Sequence, residues 1–143
     1  MKKIFIVTIA FLFPFLLMAQ DEGIQFVDAK WEYVLKKAKQ ENKLIFVDMF
    51  TTWCAPCKRM ALEVFPQKEV GDKFNASFIN YKVDAEKGEG IDLAKMFEVD
   101  AFPTYLFING DGKVVYRILG RKDKESFLKE ADKALNIYLT HIK

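Results

Sequence analysis

Cysteine and histidine are almost absent from this chain: two cysteines, Cys54 and Cys57, and one histidine, His141, in 143 residues. Cysteines three positions apart cannot staple distant parts of a fold, because a bridge between them closes almost no loop. Their presence asks for a chemical reason rather than an architectural one. Zinc wants four ligands, and one chain offers only these three candidates, so a metal site would need two chains sharing half-sites. His141, near the C-terminus, reads as a solvated tail residue. No charge of one sign dominates, with 22 Lys and Arg against 20 Asp and Glu. So balanced a domain has no electrostatic reason to bind nucleic acid or an anionic membrane. Internal repeats, low-complexity stretches and linkers are missing as well. What remains, 51% hydrophobic and 29% charged, suits one globular domain with a sizeable core.

The one long apolar run stands at the start. Met1-Lys2-Lys3 is basic, Ile4 to Leu17 is apolar apart from Thr8 and Pro14, and Leu17-Met18-Ala19 offers a cleavage site before polar Gln20-Asp21-Glu22. This is the three-part layout of a secretory signal peptide. The run is shorter than the ~20 residues a membrane span needs. Residues 1–19 are therefore expected to be removed, leaving a 20–143 domain with 20 basic and 20 acidic side chains and no stable membrane insertion. Export places the domain in the periplasm or elsewhere outside the cytoplasm. No cysteine follows Ala19, which excludes a lipid-modified N-terminal cysteine.

Periodicity predicts a helix over Ala29 to Glu41, opened by Asp28 as N-cap, with Trp31, Val34, Leu35 and Ala38 on its apolar stripe. Leu44 to Phe50 reads as a strand buried on both faces. Cys54 to Val64 reads as a helix with Pro56 in its first turn, where a missing N–H costs nothing. Phe65-Pro66 ends or kinks it, and Lys68 to Asn75 forms a further short helix. Phe78 to Val83 is a strand, and a short helix follows around Asp92 to Phe97. Thr104 to Ile108 and Val114 to Leu119 flank Asn109-Gly110-Asp111-Gly112, a hairpin signal. A last helix runs from about Lys124 to Leu139. Early alternation implies parallel strands and the hairpin adds antiparallel ones, so the fold class is α/β, a central mixed sheet with helices on both faces.

The chemistry gathers in Asp48-Met49-Phe50-Thr51-Thr52-Trp53-Cys54-Ala55-Pro56-Cys57-Lys58. Cysteines at i and i+3 at a helix start can approach to disulfide distance. The first is expected to face solvent at the positive end of the helix, where unpaired N–H groups favour a thiolate. The second sits a turn inside and is shielded. Cys54 is then the attacking nucleophile and Cys57 the resolving thiol. A bare C-x-x-C also serves zinc sites and structural pairs.

Trp53-Cys54-Ala55-Pro56-Cys57-Lys58 after an apolar strand resembles the active site of the thioredoxin family, and the thioredoxin fold is what this implies. Asp48, six residues before the nucleophile, occupies the place of the family's buried carboxylate. Phe102-Pro103-Thr104 resembles its cis-proline segment, and Gly120 the glycine lining its substrate groove. The resemblance implies that Asp48 is a base of raised pKa that takes the Cys57 proton, and that Trp53, Phe102, Pro103 and Gly120 contact substrate. No cofactor is implied. The lead-in KAKQENKLIFVDMFTTWC and the FPQKEV segment are similar to exported bacterial thioredoxin-like proteins and to the C-terminal domain of the membrane electron transducer DsbD. The chain departs from the family pattern in three places. Aligned on Asp84, Asn80 stands where the family often has a lysine near the carboxylate, with Lys82 two residues along on the same face. Position 55 is Ala rather than Gly, and Glu86 to Gly90 is longer than in compact members.

Strong oxidants carry a histidine between the cysteines, which stabilises the thiolate and hence the reduced form. Ala55-Pro56 supplies no such donor, which points to a reductant. Thioredoxin-type pairs lie near −270 mV and strong oxidants near −120 mV, a gap of about 7 kcal/mol. A reductant in an oxidising compartment needs resupply, so the resemblance implies protein disulfides as substrates and a membrane electron transducer as donor. Two other readings stand beside it: an oxidase or isomerase, and a non-catalytic binding or chaperone module.

Overall fold

Leu44–Phe50 forms the strand, β1, around which the rest assembles. It runs parallel to β2 (Phe78–Asp84) on one side and antiparallel to β3 (Thr104–Ile108) on the other, and β3 pairs antiparallel with β4 (Val114–Leu119). The order β2-β1-β3-β4 is the expected mixed sheet. This computed structural model describes residues 22–141, with side chains to residue 140; the segment read as a signal peptide and the His141 side chain lie outside the described residues.

Strand β1 is apolar on both sides of its pleat, so both must be covered. Ile45, Val47 and Met49 face Trp31, Val34, Leu93 and Phe97, carried by helix α1 (Trp31–Glu41) and by α4 (Glu89–Met96) and its end. Leu44 and Phe46 face the other helices: α2 (Ala55–Arg59) with its continuation Met60–Val64, α3 (Lys68–Ser77) and α5 (Lys124–His141). Phe46 is the hub of this second core, with the rings of Phe26, Phe65, Phe74, Tyr105, Phe107 and Phe127 at centroid distances of 4.7–6.4 Å. Ring pairs of this kind are worth ~0.5–1.5 kcal/mol each beyond the area they bury.

Two helix starts and the winding of a third helix differ from the sequence expectation. Helix α1 begins at Trp31, and Asp28 does not cap it. The Trp31 N–H donates instead to both carboxylate oxygens of Glu89 at 3.1 and 3.2 Å, and the Tyr81 hydroxyl donates to the same carboxylate at 2.7 Å. A carboxylate beside free N–H groups satisfies a helix start from any direction, and Glu89 arrives where Asp28 sits too early in the chain. Helix α4 accordingly starts at Glu89, three residues before its expected beginning. The helix after the cysteines ends in a π-helical stretch, Met60–Val64, closed by Phe65 N–H to the Met60 carbonyl at 2.9 Å. Both Val64 and Phe65 are buried at this wider turn.

Residues 22–28 lie along the outer edge of β2. The Val27 N–H donates to the Asn80 carbonyl at 2.8 Å and the Ile24 N–H to the Phe65 carbonyl at 2.9 Å. Gly71 makes this possible, because a Cβ there would stand 2.0 Å from the Glu22 carbonyl oxygen.

Glu89→Ala removes the acceptor of Trp31 and strands the Tyr81 hydroxyl. A loss of about 2 kcal/mol is expected. Urea unfolding measures it, and a change below about 0.5 kcal/mol would mean α1 is held by packing alone.

Candidate functional site

The site grows out of the C-terminal end of β1. Thr51 to Trp53 turn the chain, the Cys54 N–H bonds the Thr51 carbonyl at 3.3 Å, and α2 begins at Ala55 with Cys54 as its N-cap. Pro56 lies in the first turn, as expected. Cys54 and Cys57 are joined as a disulfide, S–S 2.06 Å, with Cα atoms 5.3 Å apart. The backbone N–H of Cys57 donates to the Cys54 sulfur at 3.2 Å. The same N–H is placed to stabilise negative charge on Cys54 when the bond is open, as helix-start donors do.

One expectation is corrected. Cys54 does not face solvent: it is 2% exposed, against 6% for Cys57. With the sulfur tied back to Cys57 and drawn over the helix start, the exposed groups are its neighbours, Trp53, Ala55 and Pro56.

Asp48 is 3% exposed. Its row across the sheet is Lys82 on β2, Asp48 on β1 and Tyr105 on β3. Burial pushes the Asp48 carboxyl up to about 7, and the Lys82 ammonium, 3.8 Å from its Oδ2, partly offsets this. Lys82, rather than Asn80, is thus the residue beside the carboxyl. The Asn80 amide instead donates to the Gln25 carbonyl and to Asn75 Oδ1. Lys82 also lies over the Phe50 ring, 4.7 Å from its centroid. A groove of about 230 Å³ runs between Cys57, Thr51, Ala61 and Lys82, opening a way from solvent to Cys57 and to the cation beside Asp48. The Tyr105 hydroxyl, opposite Asp48, is buried with no hydrogen-bond partner among the described residues, and burial and the nearby carboxyl both push its pKa up.

On the other side of the disulfide, the Phe102–Pro103 peptide bond is cis. Pro103 is buried and Phe102 half-buried. The Pro103 carbonyl accepts the Gly120 N–H at 2.9 Å, so two of the proposed contact residues are joined directly. Gly120 sits at φ +80°, a conformation that suits glycine, with open space where a Cβ would be. Thr104 braces the loop from below, its hydroxyl donating to the Ala101 carbonyl at 2.7 Å. Trp53 is 65% exposed, its ring edge-on to Phe102 at 6.1 Å. Its indole N–H donates to both carboxylate oxygens of Glu86 at 3.0 and 3.1 Å. Lys58 is exposed. The structure therefore brings Trp53, Phe102, Pro103 and Gly120 to one side of the disulfide and Lys82 to the other. Sequence reading missed Glu86 and Tyr105. For Glu86 the unusual length of the Glu86 to Gly90 stretch was the signal.

Comparison with known proteins agrees with this geometry. The thioredoxin-like domain family matches residues 31–135. Thioredoxin H4 of Arabidopsis thaliana is 39% identical over 95 residues, 66% of this chain and 75% of that protein. A solution structure from Bacteroides thetaiotaomicron, provisionally described as a disulphide isomerase, shares 49% identity at a TM-score of 0.72, covering 82% of this chain and 97% of that one. The oxidised DsbD C-terminal domain of Neisseria meningitidis has a TM-score of 0.62 at 23% identity over 78% of this chain and 98% of its own, a likeness of fold.

The Asp48 carboxyl sets a pH dependence. Its folded pKa of about 7 lies above the ordinary value near 4, so the unfolded chain loses this proton first. Stability of the oxidised protein therefore falls as pH rises from about 4 to about 7. Asp48→Asn removes that slope, and at pH 8 the variant is more stable than the parent, by up to about 4 kcal/mol. Urea unfolding at pH 4.5 and pH 8 checks this; parallel profiles for the two proteins would contradict it.

Proposed function

Because the chain belongs to the thioredoxin-like family and carries the Cys54–Cys57 disulfide of a thiol–disulfide oxidoreductase, we propose that it is exported and reduces disulfides in extracytoplasmic proteins. The observation that carries the chemistry is the N-cap geometry of Cys54, whose sulfur receives the Cys57 N–H. In the reduced protein the Cys54 thiolate attacks a substrate disulfide, forms a mixed disulfide and releases the first substrate thiolate, which takes up a proton. Cys57 then gives up its proton towards the Asp48 carboxylate and attacks the Cys54 sulfur. The second substrate thiol leaves and the Cys54–Cys57 disulfide is restored, two electrons having passed to the substrate. Trp53, Phe102, Pro103 and Gly120 form the wall against which the substrate chain lies, and an extended peptide there can pair with exposed backbone. Asp48 acts as a base because burial holds its pKa near neutrality, where it can both accept and return a proton.

The reductive direction is supported by Ala55-Pro56, which offers the Cys54 thiolate no charge or side-chain donor. The basic and apolar start of the chain supports export. Outside the cytoplasm the dithiol must be regenerated, and a membrane electron transducer is the donor class that fits. The resemblance to the Bacteroides thetaiotaomicron structure favours isomerisation as a second reading, in which Cys54 is released by a new substrate thiol before Cys57 attacks.

Equilibration with glutathione or dithiothreitol buffers, followed by thiol trapping and mass spectrometry, separates the two. A potential below about −230 mV is expected; a value of roughly −120 to −180 mV would sink the reductase reading in favour of an oxidase or isomerase. Cys57→Ser is expected to accumulate mixed disulfides with substrate while Cys54→Ser forms none. The reverse pattern would make Cys57, the slightly more exposed of the two, the nucleophile.

A further inference from the structure

Trp53 is the most exposed aromatic contact beside the disulfide, yet its position is fixed at both ends. Phe102 meets the ring edge-on, and both carboxylate oxygens of Glu86 receive the indole N–H. The Glu86 loop is itself braced. Its N–H donates to Asp84 Oδ1 at 3.0 Å, and Gly90 fits against the Asp84 carbonyl, where a Cβ would approach to 1.9 Å. The adjacent cation does not neutralise Glu86, because Lys87 lies 3.3 Å from Asp84 Oδ2. Among the described residues no lysine or arginine forms an ion pair with Glu86. The rim beside Cys54 thus presents an open indole face with an uncompensated carboxylate at its edge. Such a face attracts a cation over the ring, and such a carboxylate attracts the same cation laterally.

Building on the exchange reaction proposed above, we infer that Glu86 and Trp53 form a subsite for a basic side chain of the substrate polypeptide, making Glu86 a specificity-determining residue that also positions Trp53. An arginine or lysine near the substrate cysteine lays its stem along the indole and its charge against Glu86. A neutral residue gains only the apolar contact, and an acidic one is repelled. Each attraction is modest at an exposed site, so their sum corresponds to about a tenfold preference rather than absolute selection.

The test uses the full-length protein, dithiothreitol as donor, and three peptide disulfides that differ only in Arg, Gln or Glu beside the cysteine. The Arg peptide is expected to have kcat/KM about tenfold above the Gln peptide at low ionic strength, carried by KM, with the Glu peptide lowest. The preference should shrink at 0.5 M salt, where exposed charges are screened. Glu86→Gln keeps an acceptor for the indole but not the charge, and should bring the Arg-to-Gln ratio below about threefold. Glu86→Ala, which also frees the indole, should raise KM for the Arg and Gln peptides and abolish the ranking of Gln over Glu. Equal use of the three peptides by the parent protein, or an Arg preference untouched in Glu86→Gln, overturns the subsite while leaving the exchange reaction intact. Failure of the parent protein to reduce any of them overturns the exchange reading and the subsite with it.

Discussion

The cost of keeping a carboxyl group out of water is the constraint around which this molecule is arranged. Asp48 occupies the middle of a strand whose other side chains are apolar on both faces. Desolvation of an isolated carboxylate is prohibitive, so a buried one stays protonated unless a cation approaches. Lys82 does approach, but at 3.8 Å and from a partly exposed position, which tempers the effect of burial without cancelling it. An intimate, fully buried pair would hold the carboxylate permanently charged. Leaving it alone would hold it permanently neutral. The register between β1 and β2 sets the intermediate case, because it places Asp48 and Lys82 side by side.

The disulfide separates two different environments. Towards Cys57 lie the groove and Lys82, the cation beside the buried Asp48 carboxyl. Towards Trp53, Phe102 and Gly120 lies a wall of rings and backbone. Each side rests on a different part of the sheet: the first on β1 and β2, the second on the loops that enter and leave the β3–β4 hairpin.

Where a feature is written in neighbouring residues, the sequence showed it plainly. The C-x-x-C pair with Pro56 in its first turn, the two-faced strand Leu44–Phe50 and the Asn-Gly-Asp-Gly hairpin all took their expected places, since propensity, periodicity and turn chemistry act over a few positions. Features made by distant residues were not legible. Glu89 caps a helix that begins 58 positions earlier, and no local pattern could displace Asp28 from that role. Asn80 and Lys82 share one strand face, and only the register and the contacts of Asn80 with Gln25 and Asn75 show which of them serves Asp48. Cys54 was expected in solvent because helix starts are usually exposed, whereas the disulfide and the turn before it enclose the sulfur.

The first described residues have a consequence for the order in which the chain can close. Glu22 and Gly23 press so tightly on Gly71 that a methyl group would not fit between them, and Val27 is tied to Asn80. The two seats, at Gly71 and Asn80, are not both available until the chain has reached residue 80, so the first described residues must wait for the middle of the chain. During vectorial synthesis the amino-terminal stretch therefore stays open after the first helix and strand have emerged.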